Sequence, residues 1–214
     1  MIIHKILDEV FSTWSNIAVL RVLNNVNLGL SGREIAKQAG MSAPSCLEAL
    51  SYLENYKIVA RLRGGRDHLF TLNREHYLVE KIIIPNLNME KKFAEFLYKD
   101  IAGYFEKYCL SIFLFGSVAR REERVDSDLD ICVVCNNLNS KKSIDVKYLD
   151  FSFLLHKKYG VSLSPFYISK SDFIKRAKLN KPPIADVIKE GKLLYGKSIK
   201  ELLNDKTDSK KNRR

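Results

Sequence analysis

No apolar run in this chain of 214 residues approaches the roughly 20 residues that cross a bilayer, so no membrane-spanning helix is expected. The first residues, MIIHKILDEVF, carry acids early and have no small-residue cleavage site. No secretory signal is expected there. Cysteine is scarce and scattered, at Cys46, Cys109, Cys132 and Cys135. Cys132 and Cys135 form a C-x-x-C, but no second pair follows and Cys132 sits in apolar company. Buried, reduced thiols are therefore favoured over a metal or redox site, and a cytoplasmic location follows. No internal repeat is present. What the chain does have is ordinary apolar content, 46%, which argues against wholesale disorder. Its length allows one large domain or two small ones.

Charge is unevenly spread. Residues 107–214 carry 23 Lys and Arg against 13 Asp and Glu, which accounts for +10 of the net +11. Part of this excess is the closing KTDSKKNRR, expected to be disordered. The rest is expected to draw a polyanionic substrate or partner toward the C-terminal half.

That half is organised around SIFLFGSVARREERVDSDLDICVV, Ser111 to Val134. Ile112 to Phe115 is a short apolar run, as expected of a buried strand. Gly116-Ser117 stops it, ten residues follow, and Asp128-Leu129-Asp130 opens a second apolar run. Residues two apart on a strand share a face. Asp128 and Asp130 are thus expected to point one way and Leu129 into the core. Paired carboxylates raise each other's pKa unless a cation lies between them. Mg²⁺ or Mn²⁺ relieves the repulsion, and such an ion commonly keeps waters and binds substrate phosphates. Gly116 lets the backbone approach a phosphate with no Cβ in the way. Ser117 offers a hydroxyl, and the N–H groups that follow offer an anion site.

Strand, Gly-Ser, a fixed gap and Ser-Asp-x-Asp resemble the signature of the DNA polymerase β-like nucleotidyltransferase superfamily, closest to its small prokaryotic "minimal nucleotidyltransferase" branch. Gly116, Ser117, Ser127, Asp128 and Asp130 carry the match, and Arg120 matches an arginine common there. The resemblance implies Asp128 and Asp130 as catalytic, metal-binding residues. It implies Gly116, Ser117, Arg120, Arg121 and Ser127 as the nucleotide-binding set. The sequence departs from the family twice. The expected third strand, VSLSPFYIS, lacks the acid that helps activate the acceptor; Ser162 and Ser164 share one face there, and Asp172 lies beyond it. Arg121 replaces a glycine that often follows the arginine.

The N-terminal part carries a second pattern. Segments 4–13 and 15–26 are expected as helices. Ser31 with Glu34 makes a capping box before a helix stopped by Gly40. Met41-Ser42 turns into a helix opened by Ala43-Pro44. Two strand-like runs, Ile58–Arg63 and Asp67–Leu72, are joined through Gly64-Gly65-Arg66. Together they resemble a winged helix-turn-helix domain, in which the second helix enters the DNA major groove. The DNA-binding candidates are Ser42, Ala43 and Ser45 on the helix and Arg61, Arg63 and Arg66 on the wing. Little net charge and few basic residues on the helix leave a docking or dimerising role open. A winged helix reading a palindrome implies a homodimer.

Further on, a helix over Tyr77–Ile84 is expected to break at Pro85. Phe93, Phe96, Leu97, Ile101 and Tyr104 form an apolar stripe on a helix from Met89 to about Lys107, expected to be core. A helix over Ser143–Tyr159 offers Ile144, Val146, Leu149, Phe153 and Leu154 for burial. The fold class expected is α/β (α+β) with two domains. A winged helix over 1–73 and a helical linker over 74–106 precede a nucleotidyltransferase core over 107–196 with a small mixed sheet and flanking helices; 197–214 is the basic tail. The function implied is Mg²⁺-dependent transfer of a nucleotide from an NTP, ATP foremost, to a hydroxyl of a polyanionic or protein acceptor, coupled to DNA binding. The alternatives are a catalytically weakened, nucleotide-binding transcriptional regulator and an antitoxin-like protein that modifies or masks a partner, as relatives of this branch do with helical HEPN-type toxins.

Overall fold

The computed structural model describes residues 4–64, 67–136 and 139–204. Arg66 and the end of the expected tail lie outside them. The chain divides into two compact units between Phe93 and Ala94.

In the first unit, helices α1 (Ile6–Val10) and α2 (Trp14–Asn24) are followed by a two-residue strand, β1 (Leu30–Ser31), and helix α3 (Gly32–Ala39). The capping box is present. Glu34 N–H donates to the Ser31 hydroxyl, and Ser31 N–H donates to the Glu34 carboxylate at 2.9 Å, which satisfies two N–H groups that the helix cannot. Gly40 ends α3 at φ 67°, a conformation that favours glycine. Helix α4 (Ala43–Asn55) starts from a Ser42 cap with Pro44 in its first turn. Strands β2 (Val59–Gly64) and β3 (Asp67–Leu72) pair antiparallel, and β1 adds to β3 through Leu30 opposite Phe70. Three helices around Leu20, Leu23, Ile35, Leu50 and Leu53, closed by this sheet, make a winged-helix architecture. The pairing of β1 leaves no periodic signal in sequence because it is only two residues long.

A π-helical turn, Val79–Ile83, runs directly into α5 (Ile84–Phe105). The break expected at Pro85 does not occur. Pro85 directly follows the π-helical turn, whose displaced hydrogen bonds accommodate a residue with no N–H. Nor is 74–106 a separate linker. Val79, Ile83 and Leu87 belong to the first core, and Leu97, Ile101 and Phe105 to the second. Of the expected apolar stripe, Phe93 and Phe96 are 48% and 46% exposed, so that end of the stripe is not core.

The second unit is built on a mixed sheet. Strands β4 (Ser111–Leu114), β5 (Leu129–Cys135), β6 (Leu163–Ser169) and β7 (Lys192–Gly196) lie in the order β6-β5-β4-β7. Helix α6 (Gly116–Arg120) follows β4. Helix α7 (Asn139–Tyr159) makes the crossover between the parallel pair β5 and β6; the other pairs are antiparallel. Helices α8 (Lys170–Lys178), α9 (Ile184–Glu190) and α10 (Ile199–Asn204) complete the unit. The sequence pattern predicts no strand at 192–196. Its alternation is faint because the strand sits at the sheet edge with no fully buried residue. Helix α10, with Leu202 buried, occupies a stretch expected to belong to the disordered tail.

Period-two alternation splits the sheet's side chains between two cores. Ile112, Leu114, Leu129, Ile131 and Val133 face Leu97, Ile101, Phe105 and Leu155. Phe113, Cys132, Val134 and Ile168 face Phe173, Ile184, Val187 and Leu202. Cys132 and Cys135 therefore lie on opposite faces, and the four cysteines are free thiols. Helix α7 is phased differently from the expectation. It packs with Tyr148, Phe151, Leu155 and Tyr159 inward, while Leu149, Phe153 and Leu154 are more than half exposed. With apolar residues on both faces, sequence alone did not fix its phase. The side chains of Ile144 and Val146 lie outside the described residues.

Candidate active site

Strand β4 ends against β5, and the next residues turn sharply. Phe115 N–H donates to Asp130 O at 3.0 Å. Gly116 follows at φ 76°, and a Cβ there would lie 2.5 Å from Asp130 Oδ2. Both facts require glycine. The Gly116-Ser117 turn thus lies directly against the carboxylate of Asp130, 14 residues further along the chain.

Asp130 is the second residue of β5, and Asp128 lies just before the strand. Leu129 is buried, Asp128 is exposed and Asp130 is half-buried. Burial raises the Asp130 carboxyl above its usual range. A hydrogen bond from Ser164 opposes that rise, the negative charge of Asp128 adds to it, and Arg120 opposes it. Ser164 stands opposite Asp130 in the parallel register of β5 and β6. A neutral hydroxyl therefore occupies the strand position next to the acids. Ser162 is exposed two residues earlier. Asp172 is engaged elsewhere. It accepts the Ser169 hydroxyl at 2.7 Å at the start of α8.

One carboxylate of the site was not anticipated. Glu190, the last residue of α9, accepts Gly116 N–H at 3.2 Å and an Arg120 N–H at 2.6 Å. Its side chain is only 16% exposed. It fastens the glycine turn to a helix 74 residues away in sequence. The only signal for it is its place before Gly191 in KEGKLLYG. A Cβ on Gly191 would sit 2.2 Å from Val187 O, so the chain must turn there and leaves Glu190 at the helix end. Arg120 also donates to Glu122 at 2.7 Å. Arg121 sits at φ 62°, ψ 40° as the C-cap of α6, the left-handed region favoured by the glycine common at this position. It is exposed and makes no ion pair among the described residues. Ser127 closes the turn before the acids, its hydroxyl accepting Arg124 N–H at 2.9 Å.

At the winged helix, the candidate residues are dispersed in role. The Ser42 hydroxyl caps α4, accepting Ser45 N–H at 3.3 Å, and bonds the Ser45 hydroxyl at 2.8 Å. Ala43 is exposed beside Pro44, Leu47 and Glu48. Arg61 pairs with Glu54 of α4 at 3.1 Å. Arg63 is exposed, opposite His68 in the hairpin.

Among the described residues, no group of three or more His, Cys, Asp or Glu side chains is arranged to hold a metal. Two carboxylates beside a cradle without a Cβ do suit a hard ion held partly by substrate phosphates. Among the same residues no helix is long and apolar enough to cross a membrane.

A family model described as "Polymerase beta, Nucleotidyltransferase" matches residues 99–200, just under half of the chain. No curated protein matches. Several solved structures are similar in part. One is a predicted DNA-binding transcriptional regulator from E. coli, with 20% identity over 39% of this chain and 85% of that one, at a TM-score of 0.35. The PcaV transcriptional regulator from Streptomyces coelicolor has 24% identity over 37% of this chain and 60% of its own, at 0.30. The adhesin competence repressor AdcR from Streptococcus pyogenes has 17% identity over 46% and 72%, at 0.35. The chain therefore combines a unit of winged-helix architecture with a stretch, residues 99–200, that matches the polymerase β nucleotidyltransferase family.

Proposed function

We propose that the second unit transfers a nucleotide from an NTP, ATP foremost, to a hydroxyl acceptor, and that the winged helix targets this activity to DNA. The observation that carries the reading is the contact of the Gly116 turn with Asp130. It sets a half-buried backbone turn, which continues into Ser117, directly against the carboxylate of Asp130, with Asp128 two residues before it in the chain. Asp128 and Asp130 would hold Mg²⁺ or Mn²⁺. Bound there, the ion supplies neutralisation of charge on the triphosphate and its leaving group.

The chain's own residues do the rest. Ser117, through its hydroxyl, orients the phosphates, the Gly116 N–H being held by Glu190. Glu190 and Arg120 hold the turn in place, so the phosphate contacts are preorganised before substrate arrives. Arg121, free of ion pairs among the described residues, answers the remaining phosphate charge. With both acids given over to the ion, the proton of the attacking hydroxyl passes to solvent water. Ser164 keeps the Asp130 carboxylate oriented but cannot replace a third acid. Turnover is expected to be slow, because positioning carries this chemistry and one anionic ligand is missing.

The test is pyrophosphate release with each NTP and Mg²⁺. Release that is lost in Asp128→Asn and Asp130→Asn supports the reading. Tight Mg·NTP binding with no release in any condition would favour a nucleotide-responsive regulator instead. For the winged helix, the exposed cations lie on the hairpin, not on α4. Phosphate contact through Arg61 and Arg63 predicts a salt-dependent affinity for duplex DNA, with a slope of about −0.9 per contact. A flat salt response would make the domain a docking module.

A further inference from the structure

Helix α7 carries apolar residues on its outward side as well as its inward one. Leu149, Phe153 and Leu154 are 77%, 67% and 60% exposed. Phe153 and Leu154 stand between Asp150 and Lys157 at i, i+3, i+4 and i+7, the spacing of one helix face. Leu149 flanks them one turn before Phe153. Apolar side chains this exposed on one strip mark an interaction site. Beside the strip, α7 and α5 border a groove of about 910 Å³. Its walls include Leu154, Phe151 and Tyr104, the two rings stacked with centroids 4.0 Å apart. Gly103 opens the groove on the α5 side, where a Cβ would meet nothing within 4 Å.

The charges on the strip say what covers it. Asp150 and Lys157 are both exposed, and neither forms an ion pair among the described residues. Seven residues apart, they lie about 10 Å from each other along the helix, too far to pair. A uniformly acidic partner would set Asp150 against like charge, and a uniformly basic one would do the same to Lys157. An antiparallel second α7 that crosses between Phe153 and Leu154 satisfies both. It brings Asp150 of each copy to Lys157 of the other, and the Phe153 ring of each copy to Leu154 of the other, at the groove mouth. Such a contact is self-complementary, as a twofold interface must be. The remaining charges of the groove do not oppose it. Lys158 donates to Asp100 at 2.6 Å, and Asp100 also accepts the Tyr159 hydroxyl at 2.7 Å. Lys99 is exposed at the rim.

We propose that two copies of this chain pair through α7 in an antiparallel, twofold contact, the Phe153 ring of each copy entering the α5–α7 groove of the other. Every attraction in the contact, and every repulsion introduced into it, counts twice by symmetry. The contact lies wholly in the second unit and does not depend on the chemistry of the acid pair.

The test is sedimentation velocity of the full chain over about 1 to 100 μM, with circular dichroism to show that each variant is folded. The wild-type chain should be dimeric at the top of this range. Phe153→Ser removes the ring from an exposed position and should weaken association at least about tenfold. Gly103→Leu fills the groove mouth and should weaken it by a similar factor. Asp150→Lys and Lys157→Asp each set like charges together twice and should weaken it about tenfold. The double variant exchanges the two charges and should return to within about threefold of wild type. A wild-type chain that stays monomeric overturns the proposal. A dimer indifferent to Phe153→Ser and Gly103→Leu places the contact elsewhere and overturns it as well. Single reversals that weaken association with no rescue in the double variant overturn the antiparallel register.

Discussion

Replacing Gly116 with alanine strikes two separate features of the acid site. The first is the backbone, at φ 76°. An alanine there costs about 1 kcal/mol relative to glycine. The second is contact. The new Cβ would meet Asp130 Oδ2 at 2.5 Å, where 3.4 Å is ordinary, and Asp130 Cβ at 3.3 Å. The carboxylate must swing off its rotamer, at about 1 kcal/mol. The two sum to about 2 kcal/mol. Gly160 supplies the control within the same unit, at φ 69° with nothing within 4 Å. Gly160→Ala should show the backbone effect alone. Hydrogen exchange at the amides of β4 and β5 reads the unit's stability. Gly116→Ala should speed it about fivefold more than Gly160→Ala, the equivalent of about 1 kcal/mol. The excess should vanish when Asp130 is also alanine, because neighbours that share a contact are not additive. Equal effects at the two glycines, or an excess that survives removal of the Asp130 carboxylate, would refute the stated contact.

Arg121 holds a glycine-favouring conformation, so Arg121→Gly should raise stability by about 0.5–1 kcal/mol while weakening Mg·NTP binding. A variant that gains neither stability nor loses affinity would show that Arg121 serves neither role. Asp130 gives a pH signature. Its folded carboxyl is raised above 3.8, first by burial, so the folded state holds this proton more tightly than the unfolded state. That contribution is fully present below 3.8 and is lost as pH rises through the folded value. Asp130→Asn should remove this falling component from urea-derived stability profiles; wild-type and variant curves that stay parallel would contradict it. Burial pushes the Cys132 and Cys109 thiols up to about 12. A thiol reagent at pH 8 should leave Cys132 unmodified until the chain unfolds, and rapid native labelling there would place it outside the core.

Much of the site was legible because strand alternation and turn chemistry are local. Gly116, Leu129 and Asp130 fall where a glycine turn and period-two spacing put them, while Asp128 lies just before β5. The Ser31 capping box and the Ser42 cap were equally local. What escaped depends on long-range packing. Glu190 reaches Gly116 only because α9 packs beside α6. Strands β1 and β7 are short edge pieces stabilised by pairing with distant partners, so their own residues say little. Helix α7 has apolar residues on both faces, and only the folded sheet decides that Leu155 goes in and Leu149 stays out. Phe93 and Phe96 continue a helical stripe past the point where there is a core to cover. Arg121 was noticed as a departure from the family, but its left-handed backbone appears only in the folded turn.

The seat for a metal-bound triphosphate is tested most directly by Mn²⁺ paramagnetic resonance with the intact chain and ATP. The wild-type chain should form a ternary complex in which the free Mn²⁺ signal falls only when ATP is present. Asp128→Asn and Asp130→Asn should each restore the free signal, and Gly116→Ala should weaken the complex. Ternary binding that is indifferent to all three substitutions would place the ion elsewhere and contradict the account.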